Sequence, residues 1–219
     1  MLTRSAAIAF ATCLSALPAQ AAFEECLAGL RSAAVAKGVS AATAERATRG
    51  LQPDMKVIEL MNNQPEFKTP IWDYLATLND DEKVAEGQQM LRRHAATLAA
   101  AEARFGVDRH TIVAVWGVES DYGKSGGTMP LVQALATGAC LAPRRQGFFR
   151  DELVSTLKII DRGDLDASDL KGSWAGAFGH TQFIPSTYLR LAVDGDGDGR
   201  RDLVNSVADA LHSTANFMA

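Results

Sequence analysis

This chain has no concentrated basic stripe, few cysteines and no clustered histidines. Its 22 Lys+Arg and 26 Asp+Glu leave a net charge of -4, spread along the sequence. A chain without a basic patch lacks the electrostatic footprint of a nucleic-acid binder, so no nucleic acid is expected as a partner. Beyond the N-terminal segment no apolar run is long enough to cross a bilayer, so no integral membrane span is expected. Four histidines and three cysteines, scattered, argue against a zinc site. Glycine is plentiful around Lys124 to Thr128, but the spacing and a following lysine that a phosphate-binding loop needs are missing. There are no internal repeats beyond the Gly-Asp alternation from Asp194 to Gly199, and no long linker.

What is present begins with an export signal. Arg4 supplies the positive charge, Ala6 to Leu17 a short apolar run, and Ala19-Gln20-Ala21 a small-x-small cleavage site. Residues 1–21 are therefore expected to be a signal peptide, with a mature start at Ala22 and a periplasmic destination. Removing it leaves Cys26 and Cys140, an even number in an oxidising compartment, and a disulfide between them is expected.

The rest reads as helices separated by short breakers. Glu24 to Lys37 carries Leu27, Leu30 and Ala34 on one face and stops at Gly38. Ser40 suits the cap of a second helix and Asp54 of a third. Pro65 and Pro70 break the chain before Trp72 and Tyr74, whose rings are expected to pack between lobes. Val84, Leu91, Leu98 and Phe105 recur every seven residues, which predicts one long amphipathic helix ending at Gly106.

The stretch from Asp108 to Gly123 organises the chain. Asp108 is placed to cap a helix and Gly123 to stop it. Ile112, Val115, Trp116 and Glu119 fall three and four apart, so they share a face. Glu119 thus continues an apolar stripe. A carboxyl there is either bonded to a buried partner or has its pKa raised by lost hydration, keeping a proton it can donate.

A second dense segment runs from Gly172 to Ser186, alternating small residues with aromatics. Glycine and alanine there suit tight helix packing. The interleaved Ser173, His180, Thr181 and Gln182 suit a sugar site, which needs ring faces together with hydroxyl and amide groups. Arg144 and Arg145 stand at a helix start, where they oppose the macrodipole. A polymer bearing carboxylates gives them a use. Asp194, Asp196, Asp198 and Asp202 occupy positions 1, 3, 5 and 9 of a calcium-type loop with Gly199 at position 6. Asn205 stands where a bidentate Glu is usual and Arg201 where an aliphatic residue is usual. Asp209, further along, is placed to supply another oxygen. The cofactor expected from this loop is a structural calcium ion.

Trp116-Gly117-Val118-Glu119-Ser120-Asp121-Tyr122-Gly123, the Gly172 to Ser186 segment and the Asp194 to Asp202 loop followed by Asp209-Ala210 together resemble the B-type lytic murein transglycosylases. Gln64-Pro65-Glu66-Phe67 and Trp72-Asp73-Tyr74 are similar to that family as well. The resemblance covers nearly all of residues 22–219. It implies a mainly α, lysozyme-like catalytic domain with an EF-hand-like loop. It also implies cleavage of the β-1,4 bond between N-acetylmuramic acid and N-acetylglucosamine in peptidoglycan, closing a 1,6-anhydro ring without water.

On this resemblance Glu119 is the single catalytic acid/base. Arg144, Arg145, Phe148, Ser173, Gln182 and Phe183 fall at substrate-groove positions, with Phe148 where the family often has tyrosine. Asp194, Asp196, Asp198, Asp202 and Asp209 fall in the metal region. The partner implied is a peptidoglycan glycan strand, bound by a monomer. The family's domain extends past the position matching Ala219, so its C-terminal part, with further groove residues, is expected to be missing here. The alternatives are a non-catalytic peptidoglycan-binding remnant and a calcium-stabilised helical scaffold. Murein fragments released by the first reading, and not by the other two, separate them.

Overall fold

The structure, a computed structural model, describes residues 17–64, 68–78 and 80–219. Most of the expected signal peptide, and residues 65–67 of the family-like stretch, fall outside the described residues. Four helices come first: α1 (Leu17–Ala36), α2 (Ala41–Thr48), α3 (Lys56–Asn62) and α4 (Ile71–Leu78). The Ser40 hydroxyl caps α2 by accepting from the Thr43 N–H. The Asp54 carboxylate accepts from the Lys56 N–H at the entry to α3. Trp72 does not pack between lobes. It stands 77% exposed on α4.

The predicted long helix is two: α5 (Asp81–Arg93) and α6 (Ala95–Phe105), broken at His94. A seven-residue repeat does not divide into whole turns of 3.6, so the apolar line drifts around a straight helix. Val84 is accordingly 48% exposed while Leu98 is fully buried. The break at His94 lets each half pack on its own terms, and Gly106 ends α6 in the left-handed conformation. α7 (Arg109–Ser120) follows, capped by the Asp108 carboxylate, which accepts from the N–H groups of His110 and Thr111.

The strand β1 (Met129–Pro130) leads into α8 (Leu131–Leu141) and α9 (Gln146–Arg162). β2 (Lys171–Gly172) pairs antiparallel with β1, Met129 opposite Gly172. α10 (Pro185–Leu191) and α11 (Val207–Met218) complete the fold. The architecture is therefore mostly helical, as the periodicity predicts. Among the described residues no helix is long and apolar enough to cross a membrane.

Two apolar clusters hold it together. The larger joins α1, α8 and α9 through Phe23, Leu27, Leu131, Leu135, Phe149, Leu153 and Leu157, and extends to Phe178, Phe183 and Tyr188. The smaller joins α5, α6, α7 and α11 through Met90, Leu98, Ile112, Trp116, Leu211 and Ala215. Each fully buried Leu or Phe contributes about 1.5–3 kcal/mol against the ordering entropy. Cys26 of α1 and Cys140 of α8 are joined by a disulfide, their Cα atoms 5.9 Å apart.

The junction of α5 and α7 is set by one ring. Tyr122 inserts between them and donates to the Lys83 carbonyl at 2.8 Å. A Cβ at Gly117 would lie 2.7 Å from this ring, and one at Gly87 2.6 Å from its hydroxyl, so only glycine admits it at either position.

Candidate active site

α7 buries Ile112, Val113, Trp116, Gly117 and Ser120. Its buried arc is therefore the 112–116–120 row, and Glu119 lies just beyond one edge of it. The expectation of a carboxyl inside a dry stripe is corrected to this extent: Glu119 is exposed. Its pKa is nonetheless raised, and the cause is lost hydration. The wall of an open groove has both properties, protein on one side of the carboxyl and water on the other. Among the described residues nothing hydrogen-bonds or pairs with this carboxyl, so no bond commits its proton elsewhere.

α7 ends one residue after Glu119. The helix is capped at Asp121, in the left-handed conformation at φ 51°, two residues before the stop expected at Gly123, and Tyr122 follows at φ 57°. The turn that results is tied to the Gly172 segment. The Ser120 hydroxyl donates to the His180 carbonyl and accepts from the Gly123 N–H. Trp116 Nε1 donates to His180 Nδ1 at 3.1 Å. A Cβ on Gly123 would sit 2.3 Å from His180 Nδ1, and Gly123 has φ +89°, so this position excludes any side chain.

An indole N–H only donates, so Nδ1 of His180 must be the acceptor and its proton resides on Nε2. Burial pushes the imidazole below its ordinary pKa, with Asp202 opposing. In the sequence His180 is one polar residue among several in the Gly172 to Ser186 segment. Its Trp116 and Ser120 partners lie about sixty residues away, a pairing no spacing rule reveals.

The substrate-groove candidates separate in space. The Ser173 hydroxyl accepts from the Ala177 N–H at 3.0 Å and so closes its own turn. Gln182, at φ 51°, donates its amide to the carbonyls of Gly126 and Gly179, at 3.0 and 2.9 Å. It thereby pins the glycine-rich loop after α7 onto the Gly172 segment. Phe183 is 6% exposed, its ring 5.6 Å from that of Phe217, so it is core rather than groove lining. Arg144 and Arg145 border a cavity of about 330 Å³ with Met61, Gln64, Phe149 and Trp174. Arg144 donates to the Met61 carbonyl, and the Arg145 guanidinium lies 4.4 Å over the Phe148 ring.

The acidic loop divides in the same way. Carboxylates of Asp194, Asp196 and the fully buried Asp209 come within 4.8 Å of one another. Burial raises the pKa of Asp209, while backbone N–H groups of Gly199, Gly197 and Asp198 lower that of Asp194. Asp198 and Asp202 are outside this trio. Asp198 accepts from the Arg200 N–H, and Asp202 accepts from Val204, Asn205 and the Asn205 side chain. Arg201, unexpected in such a loop, pairs with Asp164 and ties the loop to the end of α9. Three hard carboxylates, one of them desolvated, fit a hard divalent cation. The outer two acids serve as caps.

A second acid, Glu152, is buried on α9. Both its oxygens are occupied by Ser186. It sits on the buried face of α9 among Phe149, Leu153 and Thr156, and its i to i+34 partner is invisible to helical periodicity.

Comparison with known proteins agrees with this arrangement. The family model described as "Transglycosylase SLT domain" matches residues 22–219. The membrane-bound lytic murein transglycosylase B of Escherichia coli (strain K12) is 35% identical over 170 residues, which are 74% of this chain and 47% of that protein. The crystal structure of SltB3 from Pseudomonas aeruginosa, in complex with NAG-anhNAM-pentapeptide, is 46% identical with a TM-score of 0.86, covering 90% of this chain and 52% of that one. The Escherichia coli lytic transglycosylase Slt35, in complex with calcium, is 31% identical with a TM-score of 0.78, covering 88% and 61%. The chain thus spans about half the length of such relatives. Over that span it belongs to the transglycosylase SLT domain family, with the lysozyme-like helical fold of the lytic transglycosylases.

Proposed function

We propose that this chain is the catalytic portion of a lytic murein transglycosylase, cleaving between N-acetylmuramic acid and N-acetylglucosamine with Glu119 as its single acid/base. One observation carries the proposal. The exposed Glu119 has its pKa raised by lost hydration, has no bonded partner among the described residues, and sits on a helix tied to the Gly172 segment.

Most glycosidases use two carboxyl groups, one as acid and one to attack or to activate water. Glu152 is not free for that second role, and Asp121 caps the turn on another side of α7. A single carboxyl suffices if the substrate supplies its own nucleophile. Protonated Glu119 gives its proton to the glycosidic oxygen as the bond to the anomeric carbon breaks. The N-acetyl oxygen then stabilises that carbon. The ionised Glu119 finally takes the proton of the muramic 6-hydroxyl as that oxygen bonds to the anomeric carbon. The products are an N-acetylglucosamine-ended fragment and a 1,6-anhydromuramic end, and Glu119 is again protonated. The anhydro fragment bound by SltB3 supports this product class.

Arg144, Arg145 and Phe148 are assigned to the muramic and peptide side of the strand, where the guanidinium groups meet carboxylates. Ser173 and Gln182 are assigned to shaping the loop wall against which the strand lies. Phe183 supports that wall from beneath. The chain is assigned to the periplasm as a monomer after loss of residues 1–21, and the Cys26–Cys140 disulfide supports an oxidising compartment. Asp194, Asp196 and Asp209 are the residues that would hold a structural calcium ion, which would cross-link the loop and α11.

The test is mass spectrometry of sacculi digested with residues 22–219. Anhydro-muropeptides are expected from the wild type, and at least about a hundredfold fewer in the same time from Glu119→Gln. Reducing-end products would instead make it a hydrolase. The openness of Glu119 favours one other reading, a murein-binding module without turnover. Sacculus binding with no fragment released would establish that one.

A further inference from the structure

Glu119 has a required position but, among the described residues, no side-chain bond that sets it. Its carboxyl therefore goes where the last turn of α7 goes. Tyr122 sets that turn against α5, while three contacts tie it to the Gly172 segment, and all three converge on one residue there. Trp116 Nε1 donates to His180 Nδ1, the Ser120 hydroxyl donates to the His180 carbonyl, and Gly123 lies flat against the imidazole with no room for a Cβ. His180 is in turn fixed from the far side, its N–H donating to the Leu203 carbonyl at 2.9 Å. The Trp116 ring has His94 and His180 each at 5.5 Å, edge-on, so the indole cannot swing to find another acceptor without losing its packing. The hydroxyl of Ser120 is also spoken for at its acceptor side by Gly123. Helix end, glycine turn and Gly172 segment thus meet at a single imidazole.

We propose that His180 is the positioning residue for the catalytic acid. It acts through Trp116 and Ser120, as a hydrogen-bond acceptor at Nδ1 and at its own carbonyl, and touches no reacting atom itself. It sets the angle at which α7 delivers Glu119 to the glycosidic oxygen. This inference rests on Glu119 being the acid. A displacement of about 1 Å at a reacting group is enough to cost roughly a hundredfold in rate.

Two substitutions separate positioning from mere packing. His180→Ala removes the ring acceptor and leaves the indole N–H unpaired. His180→Asn keeps it, because Asn Oδ1 stands the same number of bonds from Cα as His Nδ1. Both variants lose ring packing, so both are expected to melt earlier than the wild type. Turnover of soluble glycan strands is measured well below either melting temperature, alongside the Glu119 carboxyl midpoint followed by carbon NMR. For His180→Ala, kcat is expected to fall tenfold or more with KM within about twofold, and the Glu119 midpoint to drop toward the ordinary glutamate range. His180→Asn is expected to recover most of kcat and to keep the raised midpoint. Equal kcat for the two variants overturns the proposal, as does a loss that appears only in KM. A carboxyl midpoint unmoved by His180→Ala overturns it too, whether or not the wild type releases anhydro products. A wild type that releases none, with the midpoint shifting as described, removes the proposed activity and leaves the positioning intact.

Discussion

Glu152 of α9 accepts both the backbone N–H and the hydroxyl of Ser186, at 2.8 and 2.7 Å. The carboxylate is buried, yet both its oxygens are satisfied at the entry to α10. It behaves as a cap, holding Ser186, the residue that directly follows the Gly172 to Pro185 stretch that the site needs. The distinction from Glu119 is chemical. One carboxyl is held by donors and the other has none among the described residues.

That distinction is testable. Glu152→Ala leaves the half-buried Ser186 N–H without its acceptor, a loss of about 1 kcal/mol or more. The denaturant midpoint is expected to fall accordingly. The fragments released from murein at a temperature where the variant is folded should keep their anhydro ends. A switch to reducing ends, or a complete loss of turnover in well-folded protein, would make Glu152 a participant in the chemistry.

The disulfide joins helices whose cysteines are 114 residues apart in sequence. Closing so long a loop restrains the unfolded chain strongly. Cys140→Ser, or reduction, is expected to lower unfolding free energy by about 2–4 kcal/mol. Urea titration with and without reductant measures it. A difference below about 0.5 kcal/mol would mean that α1 and α8 are held by Leu27, Leu131 and Leu135 alone, given how weakly engineered cross-links sometimes act.

The Glu119 carboxyl gives a pH dependence with a definite sign. Lost hydration on its protein side raises its pKa, so the protonated, donating form persists above the ordinary glutamate range. The rate kcat/KM is expected to fall as pH rises through that raised value. Replacement by Gln should lower kcat by about 10²–10⁴. Stability follows the same group. A carboxyl whose folded pKa is raised stabilises the fold while protonated, below the unfolded value, and that contribution is lost as pH rises through the folded value. Glu119→Gln should therefore gain stability relative to wild type across that window and none below it. Thermal melts of both proteins from acid to neutral pH check this. Parallel stability curves would place the carboxyl in bulk water.

How much of this was legible beforehand depends on distance along the chain. The caps at Ser40 and Asp108, the stop at Gly106 and the mainly helical fold follow from local rules, and the structure has them. The break at His94 was not legible, because the sevenfold repeat continues through it and only tertiary packing interrupts it. The family resemblance puts Phe183 at a groove position, but Phe217 comes from α11 to cover it. Helical spacing places Glu119 on the apolar stripe of α7, and the resemblance to the B-type lytic murein transglycosylases makes it the acid/base. That spacing put it inside the stripe, whereas the buried arc ends one position short. His180 and Glu152 were not legible in their roles. Each is defined by partners on other elements, and nothing in a single sequence pairs position 116 with 180 or 152 with 186.

The acidic trio offers the last prediction. Asp194, Asp196 and Asp209 crowd three negative groups within 4.8 Å, one of them desolvated enough to raise its pKa. A divalent cation relieves both costs. At a hundred times its dissociation constant, calcium is expected to add about 2.7 kcal/mol, or roughly 5–11 °C in melting temperature for a chain of this size. Asp196→Asn is the informative variant. Its Oδ1 can still accept from Asp198, and the Ser206 hydroxyl can rotate to accept from the new amide, so the metal-free fold should change little. The response to calcium should largely vanish. Protons compete for Asp209, so the calcium-induced shift should also shrink as pH falls through its raised pKa. Scanning calorimetry in chelator and in calcium, for both proteins, reads all of this. Equal melting temperatures for the wild type in the two buffers would leave the loop as a hydrogen-bonded turn with no metal function.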